Sequence, residues 1–136
     1  MKKKQLAYWQ GYLRQLADLL HLRDWDVRLQ EVPCADHLQA SVELIYGRKV
    51  ARVWLCHDWD GLDAHLQRQT MIHELLHLHI NPIKHVYEGI QRDRSKGWLA
   101  LGYTALVEQL EYAVDGIATA IADHYPLPPR AKEKAA

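Results

Sequence analysis

The chain has 136 residues, 49% of them hydrophobic, with 17 Lys+Arg against 17 Asp+Glu and a formal net charge of zero. That length suits a single domain with its own core, the balanced charge excludes a general polyanion-binding surface, and two cysteines are too few for a disulfide scaffold. The unusual count is nine histidines, and histidine is the commonest metal ligand and proton carrier at neutral pH.

Leu6, Trp9, Leu13, Leu16 and Leu20 recur at steps of three and four, which predicts an amphipathic helix over 3–21. The start Met1-Lys2-Lys3-Lys4 has the charge of a secretory leader. Gln10, Arg14, Gln15 and Asp18 interrupt the apolar run behind it, so no leader is expected. No stretch reaches the roughly 18 apolar residues of a membrane span. A soluble, cytoplasmic protein with reduced Cys34 and Cys56 is expected, both thiols being small interior residues rather than metal ligands.

Trp25, Val27 and Leu29 alternate with polar residues as in a half-buried strand, ended by Pro33. Ala40, Val42, Leu44 and Tyr46 alternate again, Gly47-Arg48-Lys49 supplies a turn, and Val50 to Cys56 reads as the return strand of a hairpin. That return strand could offer its edge to an extended peptide. Asp58 to Gly61 breaks the pattern. A helix then runs from Asp63 to about Ile80, with Asn81-Pro82 expected to stop it.

Residues 83–97, with Gly89 and Gly97, read as irregular. A long helix follows over 98–124, its apolar side carrying Leu99, Leu106, Leu110, Ala113, Val114, Ile117 and Ile121. The tail 126–136 has three prolines and four charges without an apolar period, and is expected to be disordered. The predicted fold is α+β in one domain over 1–125: an N-terminal helix, a three-stranded mainly antiparallel sheet, an active-site helix and a long C-terminal helix.

Chemistry concentrates in His73-Glu74-Leu75-Leu76-His77, an H-E-x-x-H inside the most apolar helix. Residues i and i+4 share a helical face, so both imidazoles can reach one ion while Glu74 projects beside them. Burying two imidazoles and a carboxylate without partners is costly, and a metal removes that conflict. An open catalytic zinc site takes three protein ligands. Downstream, Glu111 and Asp115 share a face of the last helix, so one could bind metal while the other holds an imidazole N–H. Glu108 lies on the same acidic stripe and is the alternative third ligand.

His73-Glu74-Leu75-Leu76-His77 followed by Glu111-Tyr112-Ala113-Val114-Asp115 resembles the gluzincin branch of the zincin metallopeptidases, in its minimal single-domain form. Length and composition also look like small phage and bacterial metallopeptidase-like proteins. The resemblance spans about 40–120 and implies one zinc ion on His73, His77 and Glu111, Glu74 as general base and Asp115 behind a zinc histidine. It implies hydrolysis of a peptide or protein substrate. The alternative class is a non-catalytic, zinc-containing binding or regulatory module of phage or mobile-element type.

Tyr103 and Tyr87 are candidates for stabilising an oxyanion beside the metal. His79 and His85 read as ordinary polar surface: His79, six residues after His73, sits off the 73/77 face, and no glycine turn before His85 brings the chain back to the motif. Lys84, His85, Arg92, Arg94 and Lys96 form a basic cluster near Tyr87 and Trp98, diluted by Glu88 and Asp93. Neither nucleic acid nor a membrane is therefore expected as a partner.

Overall fold

The computed structural model describes residues 3–45, 47–93 and 97–129, and the side chains of all these except 90–93 and 97–101. The order is α1 (Lys3–Leu19), β1 (Asp26–Leu29), β2 (Ala40–Ile45), β3 (Val50–Leu55), α2 (Ala64–Asp93) and α3 (Gly97–Ile121). A short 3₁₀ turn, Trp59–Gly61, precedes α2, and another, Ala122–His124, follows α3. The fold is α+β, as expected from the alternating periods. None of the described helices is long and apolar enough to cross a membrane.

The sheet differs from expectation in its pairing. Its order is β1-β3-β2, with β2 antiparallel to β3 but β1 parallel to it. The β2–β3 hairpin folds as its turn dictates, with Gly47 at φ +80° at the turn's start. The connection after β1 carries the chain past the centre, and β3 returns between its two neighbours. The mainly antiparallel sheet is therefore corrected to a mixed one, and β3 has no free edge to offer a peptide.

The two outer strands differ. The Gln10 side chain of α1 acts as a substitute strand along β1. Its Nε2 donates to the Val27 carbonyl at 2.9 Å, and its Oε1 accepts from the Leu29 N–H at 2.7 Å. No comparable bond among the described residues reaches the outer edge of β2.

One face of the sheet is covered. Ala51, Val53 and Leu55 of β3 point inward with Val27 and Leu29, while Arg28, Glu43 and Arg52 are exposed on the other face. The inner face meets Leu13, Leu16 and Ala17 of α1 and Met71, Ile72 and Leu75 of α2 in one core. Each of the larger of these side chains, the valine, leucine, isoleucine and methionine, contributes about 1.5–3 kcal/mol by leaving water.

Asp63 starts α2 as expected, its Oδ1 accepting from the N–H of His65 at 2.8 Å. Asn81-Pro82 does not stop it: the helix continues through Pro82 to Asp93, so 83–93 is helical rather than irregular. Contacts with α3 hold this second half. Tyr87 stacks on Tyr103 with ring centres 6.1 Å apart, Tyr103 Oη donates to Glu88 Oε1 at 2.7 Å, and the Lys84 ammonium lies 5.9 Å from the centre of the Tyr103 ring. Tyr87 comes so close to Gly102 that a Cβ there would collide with its hydroxyl. Tertiary packing thus overrides a local breaker.

On α3 the buried stripe is narrower than its apolar pattern. Val114 and Ala118 are buried, with Ala122 just beyond, whereas Ala113 and Ile117 are exposed. After it, Tyr12 Oη donates to the Pro126 carbonyl at 2.8 Å and Pro128 is buried. Residues 126–129, expected within a disordered tail, therefore pack on the domain. The rest of that tail, 130–136, lies outside the described residues, as do residues 94–96 and the side chains of Arg92, Trp98 and Leu99.

Candidate metal centre

The most enclosed stretch of α2 is the one carrying the motif. Met71, Ile72, Leu75, Leu76 and Leu78 are buried, and Glu74 and His77 are buried with them. The apolar residues fix the rotation of the helix, so His73, Glu74 and His77 come out along the line where α2 meets α3 and β2. From α3, Val114 and Ala118 enter the core, and the neighbouring face carries Glu111 and Asp115 toward those histidines.

Three donor atoms converge. His73 Nε2 and His77 Nε2 are 3.1 Å apart, and Glu111 Oε2 stands 3.6 Å from the first and 3.5 Å from the second. Donors about 2.0–2.1 Å from one ion at tetrahedral angles are separated by about 3.3 Å. The triangle matches that spacing, and His73, His77 and Glu111 could hold a metal ion. The group meets solvent on the Glu111 side, where that side chain is about half exposed, while His77 is enclosed. Glu108, the rival ligand, is exposed and is not part of this group.

Behind the donors, the rings are held by hydrogen bonds. His73 Nδ1 lies 2.9 Å from Asp115 Oδ1, so an N–H there donates to the carboxylate and leaves the Nε2 lone pair facing the centre. The Asn81 side chain hydrogen-bonds the His77 ring. In the sequence Asn81 reads only as part of a helix stop. Its signal was its place four residues after His77, which matters only once the helix is known to continue.

Electrostatics express the same enclosure. Burial, followed by the Glu111 charge, pushes the Glu74 carboxyl up to about 8. Burial also lowers His77 from its ordinary value, partly opposed by Glu111, which favours the neutral imidazole a metal needs. A divalent ion among these groups would reverse the trend at Glu74 by favouring its ionised form.

The centre lies in an open groove between α2 and β2. One part, of about 250 Å³, runs from His37 and Gln39 past Thr70 to His73 and Glu74. The other, of about 280 Å³, continues from Glu74 and His77 to Asn81 and Lys84 along Ala40, Ser41 and Val42. The unsealed edge that borders this group is therefore that of β2 and not the expected one of Val50–Cys56, which lies in the central strand.

Other candidates fall elsewhere. Tyr103 is eight residues before Glu111, about 12 Å along α3, and its hydroxyl is bonded to Glu88. Neither it nor Tyr87 is among the side chains lining the groove, although the Tyr103 ring borders Lys84, which is. His79 bonds the Leu20 carbonyl at 2.9 Å, and His85 lies 3.8 Å from Glu88. Cys34 and Cys56 are free and half-buried, and burial raises both thiols, Cys56 to about 11 with help from Asp58. Such thiols are poor metal ligands. No family model, curated protein or solved structure matches this chain, so its chemistry is argued from these side chains alone.

Proposed function

We propose that this chain is a zinc-dependent metallopeptidase of gluzincin type that hydrolyses peptide bonds within a single domain. The observation that carries the reading is the triangle of His73 Nε2, His77 Nε2 and Glu111 Oε2, with Asp115 bonded behind His73. Two nitrogens and one oxygen form the mixed donor set that suits zinc, and three ligands leave a position open. Zinc bound there supplies a Lewis acid that polarises a carbonyl and acidifies water.

The remaining work belongs to the chain. Glu74 lines the groove together with the triangle's histidines, and in this reading it takes a proton from the attacking water and returns it to the leaving amine. Asp115 and Asn81 keep the imidazoles oriented. The outer edge of β2 offers backbone donors and acceptors to an extended substrate lying across the centre. The free thiols of Cys34 and Cys56 fit the reducing cytoplasm proposed as its setting.

The test is zinc analysis of purified protein together with cleavage of a quenched-fluorescence peptide library. About one equivalent of zinc and chelator-sensitive cleavage are expected, with Glu74→Gln retaining zinc but losing at least about 100-fold in rate. Stoichiometric zinc without cleavage would assign the chain to the non-catalytic module class. Failure to bind zinc would overturn both.

A further inference from the structure

We infer that Lys84 makes this groove selective for extended peptides carrying an acidic side chain two or three residues N-terminal to the scissile bond. The inference rests on the peptidase reading and adds its substrate class.

The stripe His73, His77, Asn81 and Lys84 advances along α2 in steps of four, four and three, so all four face the same groove. Lys84 lines the groove's far part with Asn81 and Glu111. Its ammonium lies against the Tyr103 ring, and no ion pair joins it to a carboxylate among the described residues. The nearby Glu88 is bonded to the Tyr103 hydroxyl and faces His85. A cation held over an aromatic ring, with the neighbouring acid otherwise engaged, is available to an incoming carboxylate.

Distance sets which substrate residue it meets. Lys84 follows His77 by seven residues, about 10 Å along the helix. A strand advances about 3.3 Å per residue, and the lysine side chain leans back over part of that interval. The ammonium therefore falls opposite a residue two or three positions from the bond at the metal.

Direction follows from β2. Its start, Ala40, lines both parts of the groove, while Val42 belongs to the part containing Lys84. A peptide added antiparallel, the commoner pairing, enters at the Lys84 end and leaves past Gln39 and Thr70. The residue over Lys84 then precedes the scissile bond.

The probe is a set of quenched peptides with Glu, Gln or Lys scanned through positions N-terminal to one cleaved bond. The zinc-loaded wild type is expected to favour Glu over Lys by roughly tenfold at one position. Lys84→Gln flattens that ratio and Lys84→Glu inverts it. Anisotropy of the same peptides, labelled and bound to zinc-loaded Glu74→Gln with and without the Lys84 changes, reads binding independently of cleavage. Cleavage with no charge preference, or with one that survives Lys84→Glu, overturns this inference and leaves the peptidase reading standing. Lys84-dependent binding of acidic peptides without wild-type cleavage overturns the peptidase reading and keeps only the groove's preference for acidic peptides. Neither binding nor cleavage overturns both.

Discussion

His73 Nδ1 and Asp115 Oδ1 lie 2.9 Å apart, and this bond turns Nε2 of the same ring toward His77 and Glu111. An imidazole bonded in this way has its tautomer and orientation fixed before metal arrives. Asp115→Ala is therefore expected to weaken zinc binding by about 10- to 100-fold. Asp115→Asn, which keeps an acceptor oxygen, should lose less. Competition against a chromophoric chelator measures both, and equal affinity in all three proteins would remove Asp115 from the site.

The third ligand can be tested against its neighbour. Glu111 Oε2 completes the triangle, whereas Glu108 is one helical turn away and exposed. Glu111→Ala should abolish stoichiometric zinc after desalting, and Glu108→Ala should retain one equivalent. The opposite result by elemental analysis would reassign the centre.

Metal removal should also be visible in stability, because ligands from α2 and α3 converge only in the folded chain. Free zinc at 100 times its dissociation constant stabilises by about 2.7 kcal/mol. For a domain of this size that raises the melting temperature on the order of 10 °C. Calorimetry with zinc and with excess chelator gives the difference, which should vanish in His77→Ala.

Pro82 supplies a test of the continuous helix. It lies inside α2 and is exposed. An interior proline costs about 3 kcal/mol relative to alanine, offset by up to about 1 kcal/mol through its effect on the unfolded chain. Pro82→Ala should stabilise the protein by about 2 kcal/mol in denaturant unfolding. No gain would mean that the helix stops at Asn81 after all.

The parts legible in the sequence were those with a local period. The stripe from Leu6 to Leu20, the alternations around Val27, Val42 and Val53, and the shared face of His73 and His77 each repeat within a few residues. Partner choice has no such signature: the parallel β1–β3 pairing joins Asp26 to Val50 across all of β2 and its turn. The continuation of α2 was hidden for a similar reason. Pro82 speaks against it locally, while its support comes from Tyr103, on another helix. With that half of α2 read as a loop, Asn81 and Lys84 had no face on which to align with His77.

The bonds from Gln10 to Val27 and Leu29 have one further effect. A sheet with two open sides can grow chain upon chain without limit. Sealing β1 leaves this sheet a single side for addition, so edge-to-edge self-association ends at a pair. Such a pair would join through β2 and cover the groove of both chains. On the peptidase reading, self-association by that route and substrate entry compete for one strand.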